Sequence, residues 1–189
     1  MENFKEGDDS TGAVKTARFV SLNYMNYDSP STGNKDAQGI YFGNYFTTIG
    51  NVKNVPYSTI GGKWNTQQCL FKTANQDPYI YAGVANESSY GYCAPACCCV
   101  AYSTPGTKPG DWYLPMPGEL YQIYENKAAI NEKRTAIKDS GFDDDYYWSS
   151  REYSSYGEYY VYLKVSNNAP TYNNKNYAFS VLGFLALEV

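Results

Sequence analysis

The residues of this chain best suited to chemistry are five cysteines, Cys69, Cys93, Cys97, Cys98 and Cys99, and the chain has no histidine. Cysteine thiolates can be nucleophiles, redox groups or metal ligands. A zinc site needs two separated pairs of ligands, and the second pair is missing here. Adjacent cysteines are too close for an ordinary disulfide, and an odd count is a poor disulfide framework. We therefore expect no metal site and no cofactor.

The cysteine-rich segment APACCCVAY is better explained as a buried helix, in which cysteine acts as a small apolar residue. Pro95 suits the first turn of such a helix, which would run to about Tyr102. The absence of histidine also removes the commonest general base. These features favour a protein that is not an enzyme.

The composition and charge of the chain limit the classes of partner that it is expected to bind. The 189 residues suit one domain, and the net charge of -4 with a pI near 4.8 disfavours nucleic acid and anionic membranes. The longest apolar run, Ala178 to Leu187, is about half of the roughly 20 residues that a membrane-spanning helix needs. The first residues are acidic and polar, so we expect no signal peptide and a polar tail over 1–17, before a domain over 18–189.

The elements that must position functional residues are strands at both ends and helices between them. Ala17 to Met25 alternates like a strand, and Pro117 opens a helix with Leu120, Ile123 and Tyr124 on one buried face and Gly141 as its stop. The type of the segment from Lys63 to Phe71 is not decided by its pattern. The sequence predicts an α+β domain with two central helices and terminal strands paired in one sheet.

The last third of the chain predicts further strands. From Tyr159 to Val165 the pattern alternates, and VLGFLALEV closes the chain as a buried strand. The residues expected on the buried side are Tyr159, Val161, Leu163 and Val165; those expected on the open side are Tyr160, Tyr162 and Lys164.

Two motifs carry a resemblance to a known family. GDWYLPMPGEL, from Gly110 to Leu120, is followed by YYWSSREY, from Tyr146 to Tyr153, and the chain ends in VLGFLALEV. This arrangement resembles the variable proteins of diversity-generating retroelements, over roughly residues 90 to 189. It departs from the family pattern at Arg151, at Leu182 and at Met116-Pro117. We expect the tryptophans of the two motifs, Trp112 and Trp148, to be core residues. The resemblance implies a C-type-lectin-like fold, related to the formylglycine-generating-enzyme type, with a variable region over about 148–189.

In that family a reverse transcriptase miscopies template adenines, which implies that AAC-type codons become NNC-type codons. Such codons encode Tyr, Ser, Asn, Asp, Gly, Phe, Thr and Ala among others, but not Trp, Met, Gln, Glu or Lys. Much of the run before the apolar end fits this set, and tyrosine with serine and asparagine is also the composition of antibody binding sites. We expect the ligand-binding residues to be Ser154, Ser155, Tyr156, Tyr160, Tyr162, Tyr172, Asn173, Asn174, Asn176, Tyr177 and Phe179.

The resemblance implies a phage or prophage protein that recognises a protein or glycan on a bacterial or host cell surface, located on a phage virion or a bacterial surface. The sequence leaves open whether the protein forms a homo-oligomer, in particular a trimer. Alternatives are a bacterial surface adhesin, a lectin with a fixed glycan, and an enzyme that depends on Cys93 or Cys97 to Cys99. Tyrosines that merely fill a sheet are a further alternative. Asp143 to Asp145 are expected to form a solvated loop rather than a calcium site.

Overall fold

The computed structural model describes residues 16–24, 40–42, 61–72, 94–137, 146–151, 161–162 and 177–188. Its elements, in chain order, are β1 (Thr16–Val20), β2 (Ile40–Tyr41), α1 (Gly62–Lys72), α2 (Ala94–Ala101), α3 (Pro117–Ala136), β3 (Tyr146–Tyr147), β4 (Val161–Tyr162), β5 (Ala178–Phe179) and β6 (Phe184–Glu188).

The first and last strands form an antiparallel ribbon, which is the pairing of chain ends that the sequence predicts. The register runs from Thr16 opposite Glu188 to Val20 opposite Phe184. β1 ends at Val20, before the expected strand end at Met25, and it begins at Thr16, one residue earlier than expected. The ribbon is continued by Ser21, whose N–H donates to the carbonyl of Gly183 at 2.9 Å.

The expectation of two central helices is wrong, because the described residues contain three. The additional helix, α1, covers the segment from Lys63 to Phe71 that the sequence pattern left undecided. Its buried residues include the polar Asn65 and Thr66, each 2% exposed. A search for a helix by its stripe of apolar residues does not predict that such polar residues are buried. Gly61, with φ of 134°, makes the turn that leads into it.

The other two helices lie where the sequence placed them. All eight residues of α2 are buried, which confirms the buried cysteine helix, and Cys69 of α1 is buried as well. On α3, Leu120 and Ile123 are buried at 0% and 3% exposure, while Tyr124 is partly buried. The helix ends at Ala136, with Ile137 as its C-cap, whereas the expected stop at Gly141 lies outside the described residues.

Four short strands assemble beside one another from distant parts of the chain. β2 pairs with β5 and β3 pairs with β4, both antiparallel. A parallel bridge between Tyr147 and Ser180 joins the two pairs, with Trp148 N–H donating to the Ser180 carbonyl at 3.0 Å. The lateral order is therefore β2, β5, β3, β4. The rest of the strand expected from Tyr159 to Val165, and the side chains of β4, lie outside the described residues.

The core consists of two clusters of buried side chains that meet at β3. One surrounds Trp148, which is 0% exposed, and includes α2 and Trp112 at 5% exposure. The other surrounds the neighbouring Tyr147 and includes Leu120 and Phe184. Both tryptophans of the sequence motifs are therefore core residues, as the sequence predicts.

Candidate functional site

The structure describes three of the predicted binding residues, namely Tyr162, Tyr177 and Phe179. Tyr162 is placed through its backbone, which lies opposite Tyr146 in the β3–β4 pair. The remaining predicted binding residues lie outside the described residues: Ser154, Ser155, Tyr156, Tyr160, Tyr172, Asn173, Asn174 and Asn176. The expected loop over Asp143 to Asp145 also lies outside them.

The expectation that Phe179 lies on an exposed binding face is wrong. Its side chain is 7% exposed and belongs to the Trp148 cluster, with 4.7 Å between the two ring centroids. The two residues of β5 differ in burial, since Ala178 is exposed whereas Phe179 packs against Trp148. Composition alone cannot choose the buried residue of so short a strand.

Three aromatic rings form a row at the rim of the core, which we call the aromatic row: Tyr146, Phe179 and Tyr177. Tyr146 stacks on Phe179 with centroids 5.0 Å apart and planes inclined by 17°. Tyr177 stacks on Phe179 at 6.1 Å and 24°. Tyr177 is 50% exposed and Tyr146 is partly buried, so the row passes from the interior to solvent.

The aromatic row stands on a well-packed base. Trp148 contacts Phe179 on one side and lies edge-on to Phe42, with centroids 5.1 Å apart. The backbone beneath the row is bonded in both directions. The Ser180 N–H donates to the Tyr146 carbonyl at 2.9 Å, and the Ser180 carbonyl accepts from the Trp148 N–H at 3.0 Å. The positions of the rings are therefore fixed by core packing and by backbone hydrogen bonds.

The structure also contains a buried polar centre that sequence analysis did not find, the Glu119 cluster: Arg18, Gly62, Tyr113, Met116 and Glu119. The Glu119 carboxylate is 0% exposed and accepts hydrogen bonds from Met116 N–H at 2.7 Å, Tyr113 Oη at 2.8 Å and Gly62 N–H at 3.2 Å. Arg18 Nε lies 3.4 Å from it. A buried carboxylate with several donors is stabilised in its charged form.

Glu119 joins four elements through these contacts. It bonds the N-terminal end of α3 through Met116 and that of α1 through Gly62, where helix dipoles favour negative charge. Arg18 brings in β1, and Tyr113 brings in the segment that bridges to β6. The sequence signal for part of this arrangement is a glutamate three residues after a helix N-cap, which is a capping-box position.

Helix α1 holds the two motif segments together. Thr66 donates its hydroxyl to the Leu114 carbonyl at 3.2 Å and accepts from Leu114 N–H at 2.9 Å. Asn65 Nδ2 donates to the Ser150 carbonyl at 3.1 Å, and Ser150 N–H donates to the Pro115 carbonyl at 2.8 Å. The DWYLP and YWSS motifs thus meet through side chains of a helix that neither motif predicts.

A second buried charge fastens the far end of α3. Arg134 is 4% exposed and donates to the carbonyls of Leu22, at 2.8 Å, and Ser21, at 3.4 Å. These are the residues that follow β1, so the helix and the terminal ribbon are tied at this point as well. Charged residues near helix ends usually lie in solvent, which is why the sequence did not mark Arg134 as buried.

The cysteines of α2 offer no reactive surface. Cys97, Cys98 and Cys99 are each 0% exposed, and the Sγ of Cys99 points to the Leu182 carbonyl at 3.8 Å. Within the part of the chain that the structure describes, no group of three or more acidic, cysteine or histidine side chains is placed to hold a metal ion. No helix among the described residues is long and apolar enough to cross a membrane.

One tyrosine of the core has a perturbed acidity. Tyr102 is 1% exposed and lies edge-on to Trp112, with centroids 5.0 Å apart. Its burial raises the pKa of the Tyr102 hydroxyl, because the charged form would lose its hydration. The shift therefore follows from core packing.

No protein-family model, curated protein or solved structure matches this chain.

Proposed function

We propose that this chain is a non-enzymatic ligand-binding protein whose C-terminal tyrosine-, serine- and asparagine-rich surface is diversified by a retroelement. The proposed fold is C-type-lectin-like. The observation that carries the proposal is the aromatic row, because it stands where three separate segments of the C-terminal third meet. These segments contain β3, β4 and β5, which lie side by side.

The chemistry of the row suits binding. Tyrosine offers a large contact area and few rotatable bonds to freeze, so ordering it in a complex costs little entropy. Tyr177 is half exposed while one neighbour in the stack, Phe179, is buried. Its ring is therefore supported from within and accessible from outside, which is the arrangement of a preorganised contact.

The scaffold beneath suits a surface that varies. The Glu119 cluster and the α1 contacts are buried, and the hydrogen bonds described for them do not involve Tyr177. Substitution at Tyr177 therefore leaves those hydrogen bonds intact. The buried thiols of Cys97 to Cys99 support a structural rather than a catalytic role for the cysteine helix.

We further propose that the ligand is a protein or glycan on a bacterial or host cell surface. The chain would act on a phage virion or on the surface of a bacterium, and a homotrimer is one proposed assembly. A fixed-ligand lectin is the second candidate, since partly exposed tyrosine rings such as Tyr177 also stack on sugars.

The gene tests diversification directly. Codons at diversified positions, such as those for Ser154, Tyr160 and Tyr177, should end in C or T. A near-copy with adenines at these codons should lie nearby, beside a reverse transcriptase gene. Codons that end freely in A or G, with no near-copy, would contradict the proposal.

A selection experiment tests binding independently of the gene. One displayed library would randomise positions 160, 162, 172 and 177. A matched library would randomise four residues that are exposed on α3, namely Tyr121, Gln122, Glu125 and Asn126. Both would be selected against one purified protein, such as egg-white lysozyme. We expect specific binders from the first library at a clearly higher frequency. Equal yields from the two libraries would refute a dedicated binding surface.

The fixed-glycan candidate calls for its own measurement. A glycan array probed with and without a calcium chelator should give one ligand class if the protein is a lectin. A single class that persists in natural sequence variants would favour the lectin over the diversified receptor.

A further inference from the structure

Position 179 lies inside the stretch that NNC-type codons fit, yet its side chain is part of the core. Phe179 is 7% exposed and contacts Trp148 at 4.7 Å between ring centroids. Its backbone lies opposite Ile40 in the β2–β5 pair. A free choice among NNC-encoded residues would place serine, asparagine or aspartate at this position, against a buried tryptophan.

The same ring also orients its neighbours. Tyr146 and Tyr177 both lie nearly parallel to Phe179, at 17° and 24°. Aromatic pairs gain from this stacked arrangement beyond the area that they bury. If the Phe179 ring is removed, Tyr177 keeps its place in the chain but loses the ring against which it stacks.

We propose that Phe179 is a positioning residue, held fixed within the diversified stretch, which sets the ring orientation of Tyr177 for ligand contact. The inference rests on the proposed function and adds to it a limit on which residues may vary. The following residue, Ser180, is 4% exposed, and its backbone forms hydrogen bonds with Tyr146 and Trp148.

A genetic consequence follows from the codons. Phenylalanine codons contain no adenine, so a template that spells phenylalanine at position 179 cannot be miscopied there. We expect the near-copy to encode Phe at 179 and to carry adenine in the codon for position 177. An asparagine AAC codon at 179 in the near-copy would overturn the inference, even if diversification itself is real.

A folding selection tests the packing limit without any ligand. Two displayed libraries would carry NNC codons, one at position 177 and one at position 179, and would be sorted for protease resistance. At 179 we expect Phe, Tyr and Leu to survive, while Asp, Asn and Gly fall by about a hundredfold or more, because a buried aromatic is lost. At 177 all these residues should survive. Equal tolerance at the two positions would overturn the inference.

The positioning role needs a measurement that stability alone would not move. In Phe179→Leu the core is still filled, but the ring is absent, so the ring-proton NMR shifts of Tyr177 should move toward those of an unstacked tyrosine. Phe179→Tyr should retain the shifts, and Tyr121, exposed on α3, should be unchanged in both variants. Unaltered Tyr177 shifts in folded Phe179→Leu would reject positioning.

The outcomes of these tests distinguish a failure of this inference from a failure of the proposed function. If the gene shows no near-copy but position 179 still rejects polar residues, diversification is lost and the packing limit stands. If the near-copy exists and its codon for position 179 contains adenines, diversification stands and the packing limit is refuted.

Discussion

The Glu119 cluster and the aromatic row are both built from distant segments, but different forces hold them. The cluster consists of directional hydrogen bonds around a carboxylate with no exposure, and the loss of any partner leaves polar atoms unsatisfied. The row consists of ring stacking that becomes more exposed toward Tyr177. We therefore expect tolerance to substitution to increase along the row toward Tyr177 and to be low in the Glu119 cluster.

The largest expected effect comes from Glu119→Ala. Removal of the carboxylate takes away the shared acceptor of three hydrogen bonds and an ion-pair partner of Arg18. We expect a loss of about 3–5 kcal/mol in the free energy of unfolding. Urea unfolding measures it. Glu125→Ala, on the exposed side of the same helix, is the matched control and should change little. Similar midpoints for the two variants would show that the cluster does not hold the fold.

Trp148→Ala tests the base of the aromatic row and should cost about 3–5 kcal/mol, because a large buried ring leaves a cavity. Thermal unfolding followed by circular dichroism measures the change. Trp148→Phe should recover part of the loss, since a smaller ring refills part of the space. A variant as stable as the parent would place Trp148 outside the core.

Gly62→Ala tests how closely α1 approaches the cluster. An added Cβ would lie 2.5 Å from the Leu114 carbonyl oxygen and 2.6 Å from Glu119 Oε2. We expect a cost of about 1–3 kcal/mol, because a backbone atom cannot move aside cheaply. Lys63→Ala at the next helix position is the control for helix propensity. A neutral Gly62→Ala would mean that α1 can shift outward.

Tyr177→Ala tests the exposed end of the aromatic row, where we expect substitution to be tolerated. We expect a change of roughly 0.5 kcal/mol in stability, because the residue is half exposed, but a loss of about 2 kcal/mol or more in ligand binding if it is a hot spot. The same outcome is expected for Tyr160, Tyr162 and Tyr172. Thermal melts decide the matter: if Tyr177→Ala lowers the melting temperature as much as Trp148→Ala does, Tyr177 belongs to the core.

The smallest expected effect concerns alkaline pH. Since burial raises the pKa of Tyr102 in the folded state, its contribution to stability is complete below the unfolded pKa of about 10 and falls as pH rises above it. Tyr102→Phe should therefore lose less stability than the parent between pH 9 and about 11. Parallel stability curves for the two proteins would show that Tyr102 does not couple folding to pH.

Parts of the site were predictable because they follow from local pattern. Pro117 and the spacing of Leu120 and Ile123 predicted α3, and an apolar run of small residues predicted the buried α2. The motif tryptophans were predicted as core and are buried. In each case the prediction depends on residues that are close in the sequence, because a helix face or an apolar run can be recognised within a few helical turns.

The sequence by itself determined which residue types are abundant, where the chain ends can pair and which segments are apolar enough to be buried. Only the tertiary structure decided that the polar residues Asn65, Glu119 and Arg134 are buried. It also decided that Phe179 is buried rather than exposed on the binding surface. The physical reason is that a polar side chain is buried only where partners from distant segments satisfy it. For a two-residue strand, likewise, the inward side is set by what packs against it.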